Sequence, residues 1–129
     1  MTHAYTPQHL IDLAEYLKSH KFSDESYDLQ CINRTIINRA YLSTYLHAQE
    51  WIIQNGPYYD VRDFANGDIG YHFAICIALE KLNKHHISGV YEEFIRLRVD
   101  ADYNIVTIIT PKDAQKAWDL AFQIQNALQ

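Results

Sequence analysis

Residues 33 to 51 read NRTIINRAYLSTYLHAQEW, and the fold turns on them. No Gly or Pro interrupts the stretch, and its apolar residues recur at helical spacing. Extended to its natural stops, the helix runs from about residue 25 to residue 54 and ends at Asn55-Gly56-Pro57, with a kink or early break admitted near Asp28. Some 30 residues of α-helix span roughly 45 Å, so this element is the expected spine of the molecule.

Read at 100° per residue, the helix carries three apolar stripes. One holds Ile32, Ile36, Arg39, Leu42, Leu46 and Ile53, and a second holds Leu29, Ile36, Ala40, Ser43, His47 and Trp51. The third holds Ile37, Tyr41, Tyr45, Ala48 and Ile52. Such a helix is buried on all sides or partly covered by a second subunit, and a homodimer is the expectation.

The remaining chain reads as four further helices. One opens at Thr6-Pro7, where Thr caps and Pro suits the first turn, and carries Leu10, Leu13, Ala14 and Leu17 to a stop near residues 19 to 21. A third covers about residues 69 to 83 with Phe73, Ile77 and Leu82 inward. KHHISG is a break, and a fourth covers about residues 89 to 99 with Val90, Phe94, Ile95 and Leu97. DADYNIVTII is a connector, extended in part. The last helix opens on Thr110-Pro111-Lys112-Asp113, a Thr-x-x-Asp capping box, and runs to the C-terminus. The expectation is an all-α bundle of about five helices forming one domain over residues 1–129.

Composition agrees. Of 129 residues, 48% are hydrophobic and 21% charged, the balance of a globular chain. The formal net charge of −5 argues against tight, nonspecific binding to nucleic-acid phosphates, though a local patch can still form. Cys31 and Cys76 both sit in apolar helical contexts without a CxxC or zinc spacing, so reduced, buried thiols are expected. The N-terminus has neither a basic nor an apolar signal region, and no segment reaches the roughly 20 apolar residues of a membrane span. A cytoplasmic protein without membrane attachment is expected.

A guanidinium at Arg39 among aliphatic residues needs acceptors, because Arg does not lose its charge. RLRVDADY supplies them, and Asp100 or Asp102, Asp102 ahead of Asp100, is expected to approach Arg39 or Arg34. Such a pair either pins two helices together or serves chemistry at Arg39.

At this point INRAYLSTYLHAQEW, followed about fifty residues later by LRVDADY and an Ala-rich last helix, resembles the HEPN superfamily. Many members read Arg-Ala-Tyr-Tyr, two small residues, an aromatic and His, and later Leu-Arg-x-x-Ala-Asp-Tyr. The likeness covers roughly residues 6 to 128. It implies a small helical bundle, usually dimeric, and in many members a metal-independent endoribonuclease of toxin–antitoxin, CRISPR-linked or other defence systems. The motif is an Arg, four to six residues, then a His, with the motifs of two subunits meeting at the interface.

By that resemblance Arg39 stabilises charge on phosphate and His47 is the acid/base. Tyr41 and Tyr45 either bind phosphate or stack on a base, or simply pack in the core with a hydroxyl at the rim, and Asp102 and Asn38 are supporting residues. RNA and an antitoxin or other partner protein are the implied partners. Seven residues separate Arg39 from His47 here, one beyond the family's range, and Leu46 stands at the aligned position. A π-bulge would return His47 to the Arg39 face; without one it points along the Ser43–Trp51 stripe. HEPN branches that have lost the His act as binding modules, and a noncatalytic module for a partner protein or nucleotide is the alternative.

Other candidates were weighed on the same terms. His72 could join His47 as a substitute base. His85-His86 lacks a correctly spaced Cys or carboxylate, so neither a metal nor another cofactor is expected. His3, His9 and His20 read as surface or terminal residues. Tyr58, Tyr59 and Arg62 in the long loop read as a lid, a partner contact, or aromatics tucked onto the bundle.

Overall fold

The computed structural model describes residues 7–19, 26–56, 64–66 and 70–129. They form five α-helices: α1 (Pro7–Ser19), α2 (Ser26–Asn55), α3 (Tyr71–Lys81), α4 (His85–Tyr103) and α5 (Pro111–Ala127). There is no strand among the described residues, and no described helix is long and apolar enough to cross a membrane. Tyr58, Tyr59, Arg62, the Thr6 cap, His3 and His20 lie outside the described residues, as does the side chain of His9.

The spine α2 is α-helical without interruption over 30 residues, so the break near Asp28 does not occur. Helices α1, α3, α4 and α5 surround it. Ile36, Ile37, Ala40, Tyr41, Ala48 and Ile52 of α2 pack into one core with Ile75 and Leu79 of α3, Tyr91 and Phe94 of α4, and Ala117, Ala121 and Ile124 of α5. Each fully buried large apolar side chain contributes about 1.5–3 kcal/mol relative to exposure. Ala residues at the contact let α2 and α5 approach closely, and the polar pair Ser43 and Thr44, fully buried there, receives Nε2 of Gln125 at 3.1 and 3.2 Å. α2 is nevertheless not buried all round: Leu42 and Leu46 are half-buried and Ile53 is 53% exposed.

Two helix boundaries differ from the sequence expectation, each for a local reason. Asn83 takes a left-handed φ of 63°. Lys84 N–H then donates to Leu79 and Asn83 N–H to Glu80, which closes α3 in a Schellman motif. The break is therefore complete at Lys84, and His85-His86 begin α4 instead of separating it from α3. At its other end α4 continues to Tyr103, because its last carbonyls are taken by Arg34. The guanidinium donates to the carbonyls of Asp100 (3.1 Å) and Ala101 (2.9 Å), and to those of Asn104 (3.1 Å) and Thr107 in the connector. A fixed cation here also opposes the negative end of the helix dipole.

The connector begins only after Tyr103 and consists of turn, bend and coil, with no strand. The Gln30 amide holds it by accepting from Ile109 N–H (3.0 Å) and donating to Ile109 O (2.6 Å), with Asn33 donating to the same oxygen. α5 carries the expected capping box: Asp113 N–H donates to Thr110 Oγ1 and Thr110 N–H to Asp113 Oδ2.

Burial bears out one further expectation and corrects two. Cys76 is buried, and burial pushes its thiol up to about 12, with Glu92 adding to the rise. Cys31 is exposed instead. Phe73, expected inward, is 46% exposed; Ala74, Ile75, Ala78 and Leu79 form the buried face of α3.

Candidate functional site

His47 lies eight positions beyond Arg39 on an uninterrupted α-helix, which sets the two apart by about 12 Å along the axis and about 80° around it. No π-bulge intervenes. Within one chain the two side chains therefore start from different faces. His47 lies on the stripe of Ser43 and Trp51, toward α5, and its Nε2 is 2.6 Å from the carbonyl oxygen of Leu128. A carbonyl only accepts, so Nε2 carries the proton, and in the neutral ring Nδ1 holds the lone pair. Arg39 is half-buried, its Nε is buried, and that atom has no hydrogen-bond partner among the described residues.

The other predicted residues meet around the junction of α2, α3 and α4. Asp102 does not reach Arg39 or Arg34. Its carboxylate pairs with Nε of Arg98 at 2.8 Å and accepts from Asn38 Nδ2 at 3.2 and 3.3 Å. The reason is helical spacing: Arg98 and Asp102 are four apart on α4 and share a face. Arg34 instead meets the backbone of the same segment. Arg98 also lies over the Tyr41 ring at 5.5 Å and the Tyr103 ring at 5.2 Å.

Tyr41 is buried at the centre of this cluster. Tyr91 donates its hydroxyl hydrogen to Tyr41 at 3.2 Å, and Tyr41 O–H then donates to Nδ1 of His72 at 2.7 Å. Burial raises the phenols of Tyr41 and Tyr91 well above their ordinary range, so both remain protonated donors. Burial, assisted by the nearby Arg98 charge, holds the His72 imidazole below its usual range, while Asp102 opposes the shift. Tyr45 packs against His72 at 5.1 Å and against Tyr41 at 6.5 Å.

The chain matches no protein-family model, no curated protein and no solved structure.

Of the residues singled out from sequence, Asn38, Tyr41, Tyr45 and Asp102 thus share one cluster, while Arg39 and His47 belong to two other places on α2. His72 joins the cluster and not His47. Arg98 was not singled out, although its position four residues before Asp102 on a helix was the available signal. No three His, Cys, Asp or Glu side chains are grouped to hold a metal among the described residues. Chemically the cluster is a network of one ion pair, two phenols and one imidazole, suited to fixing α2, α3 and α4 in register; Arg98 Nε meets Asp102 as an ion pair and not as a well-aligned hydrogen bond.

Proposed function

We propose that this chain is an HEPN-like helical module of a toxin or defence setting, one that binds a partner protein and does not cleave RNA. The observation that carries this reading is the unbroken α2, which separates Arg39 from His47, together with the Leu128 carbonyl that engages the His47 ring. A protein partner is favoured over nucleic acid by the net charge of −5. It is favoured also by Ile105, Val106 and Ile108, which stand 89, 86 and 77% exposed on a connector held down by Gln30, Asn33 and Arg34.

A second reading, a metal-independent endoribonuclease, draws support from Arg39. Its unpartnered Nε leaves hydrogen-bonding capacity for a phosphate oxygen. In this reading Arg39 of one subunit and His47 of another face the same phosphate. His47 Nδ1 takes the proton of the attacking 2′-hydroxyl, and Arg39 stabilises the phosphorane charge. Both readings pair the chain with a second copy through α2, where Leu42, Leu46 and Ile53 leave apolar surface uncovered.

Incubation of an RNA pool with the protein in EDTA separates the two, beside Arg39→Ala and His47→Ala. The binding reading expects no cleavage by folded wild type. Cleavage by the wild type that is lost in both variants overturns it and establishes the nuclease.

A further inference from the structure

Helices α1, α2 and α5 enclose a cleft of about 550 Å³, within the roughly 300–1,000 Å³ of small-molecule sites. We infer that it binds a small organic cation with an aliphatic stem, a linear di- or triamine being the class that fits. Three features carry this, and none depends on the function proposed above.

The first is charge. Asp12 and Glu15, one turn apart on α1, and Glu50 on α2 line the cleft, and no lysine or arginine does among the described residues. Asp12 accepts from the Gln8 amide at 2.8 Å and Glu50 from the Gln54 amide at 3.3 Å. Neither carboxylate has a cationic partner among the described residues. His47 also lines the cleft, but its Nε2 is engaged by the Leu128 carbonyl, so three carboxylates dominate the lining; it disfavours an anion and offers an ammonium acceptors on two helices.

The second feature is an apolar wall. Trp118 and Phe122 stack on α5 with ring centroids 5.6 Å apart and planes 12° apart, and Phe122 is 56% exposed. Both line the cleft. An aromatic face of this kind suits methylene groups and, through its quadrupole, an adjacent cation. The third is distribution. The carboxylates lie on two helices and the rings on a third, so a ligand with separated charges and an apolar stem matches the lining better than a compact ion. A bare metal ion is the poorer match, since no three His, Cys, Asp or Glu side chains are grouped to hold one among the described residues.

Isothermal titration of the full chain with spermidine and with 1,4-diaminobutane tests the inference. Saturable binding is expected with a Kd below about 1 mM. Glu50→Gln and the pair Asp12→Asn/Glu15→Gln should each weaken it tenfold or more, and Phe122→Ala should weaken it as well, all with an unchanged helical spectrum. Glu80→Gln, an exposed acid on α3 remote from the cleft, should leave binding as it is. 1,4-Butanediol and succinate should give no heat of binding.

Several results would overturn the inference. One is no saturable binding by folded wild type up to about 10 mM amine, a range that includes even weak affinities. Binding that survives the cleft variants, or falls equally in Glu80→Gln, would mark diffuse attraction to an acidic surface. Equal binding of the diol would reduce the site to an apolar cleft.

Discussion

The imidazole of His47 donates to the backbone carbonyl of Leu128, 81 residues away and at 2.6 Å, and so ties the middle of α2 to the end of α5. Leu128 is 1% exposed, so its carbonyl sits where water replaces the lost donor poorly. His47→Ala should cost about 1–2 kcal/mol in urea unfolding and speed hydrogen exchange in the last turn of α5. A change below about 0.3 kcal/mol, within the scatter of surface substitutions, would remove the structural role. The result also governs how RNA data are read, because His47→Ala perturbs structure as well as any chemistry.

Arg34 closes the C-terminal end of α4 by donating to four carbonyl oxygens. Arg34→Met should destabilise by about 3 kcal/mol, since several charge-assisted bonds are lost and the carbonyls are left exposed. Arg34→Lys should recover only part of this, because a point ammonium cannot span Asp100, Ala101, Asn104 and Thr107 together. Full rescue by Lys would mean that charge alone, acting on the helix dipole, holds α4.

Stability should depend on pH through His72. Folding holds its imidazole below the ordinary value, through burial and Arg98. The unfolded chain thus takes up a proton near pH 6.5 that the folded chain accepts only at lower pH. Stability is full above about pH 6.5 and declines as pH falls from there toward the folded value. Protonation would also turn Nδ1 into a donor facing the Tyr41 hydroxyl, which is enclosed by Tyr91. His72→Gln should flatten the decline relative to wild type in thermal melts across pH 5 to 8. Parallel profiles would assign the pH dependence to other groups.

The helices were legible because their signals are local. The α5 capping box lies within four residues, and the long α2 needs only an apolar run without Gly or Pro. The ends of α4 were less so. Its start depends on the left-handed Asn83, a residue type that tolerates this conformation without demanding it. Its finish depends on Arg34, more than sixty residues earlier. Asn38, Tyr41, Tyr45 and Asp102 were singled out as residues around Arg39, and they gather around Arg98 and His72 instead. A buried guanidinium advertises its need for an acceptor, but three arginines compete for this segment and sequence does not rank them. The outcome follows geometry: Arg98 is already on the same face as Asp102, while Arg34 is held where the helix ends.

Arg34 and Arg39 make a direct comparison, since both are half-buried arginines on α2. Arg34 donates to four carbonyls; the buried Nε of Arg39 has no partner. A desolvated donor without an acceptor opposes folding. Arg39→Met should therefore leave the monomer's stability unchanged or raise it by up to about 1 kcal/mol, opposite in sign to Arg34→Met. Equilibrium unfolding at low protein concentration, where any dimer is dissociated, measures this. If Arg39→Met gains stability but weakens self-association or partner binding in sedimentation, the guanidinium is held for an acceptor outside its own chain. A loss of 2 kcal/mol or more in the monomer would instead make Arg39 a structural residue, and the nuclease reading would lose the cation it draws on.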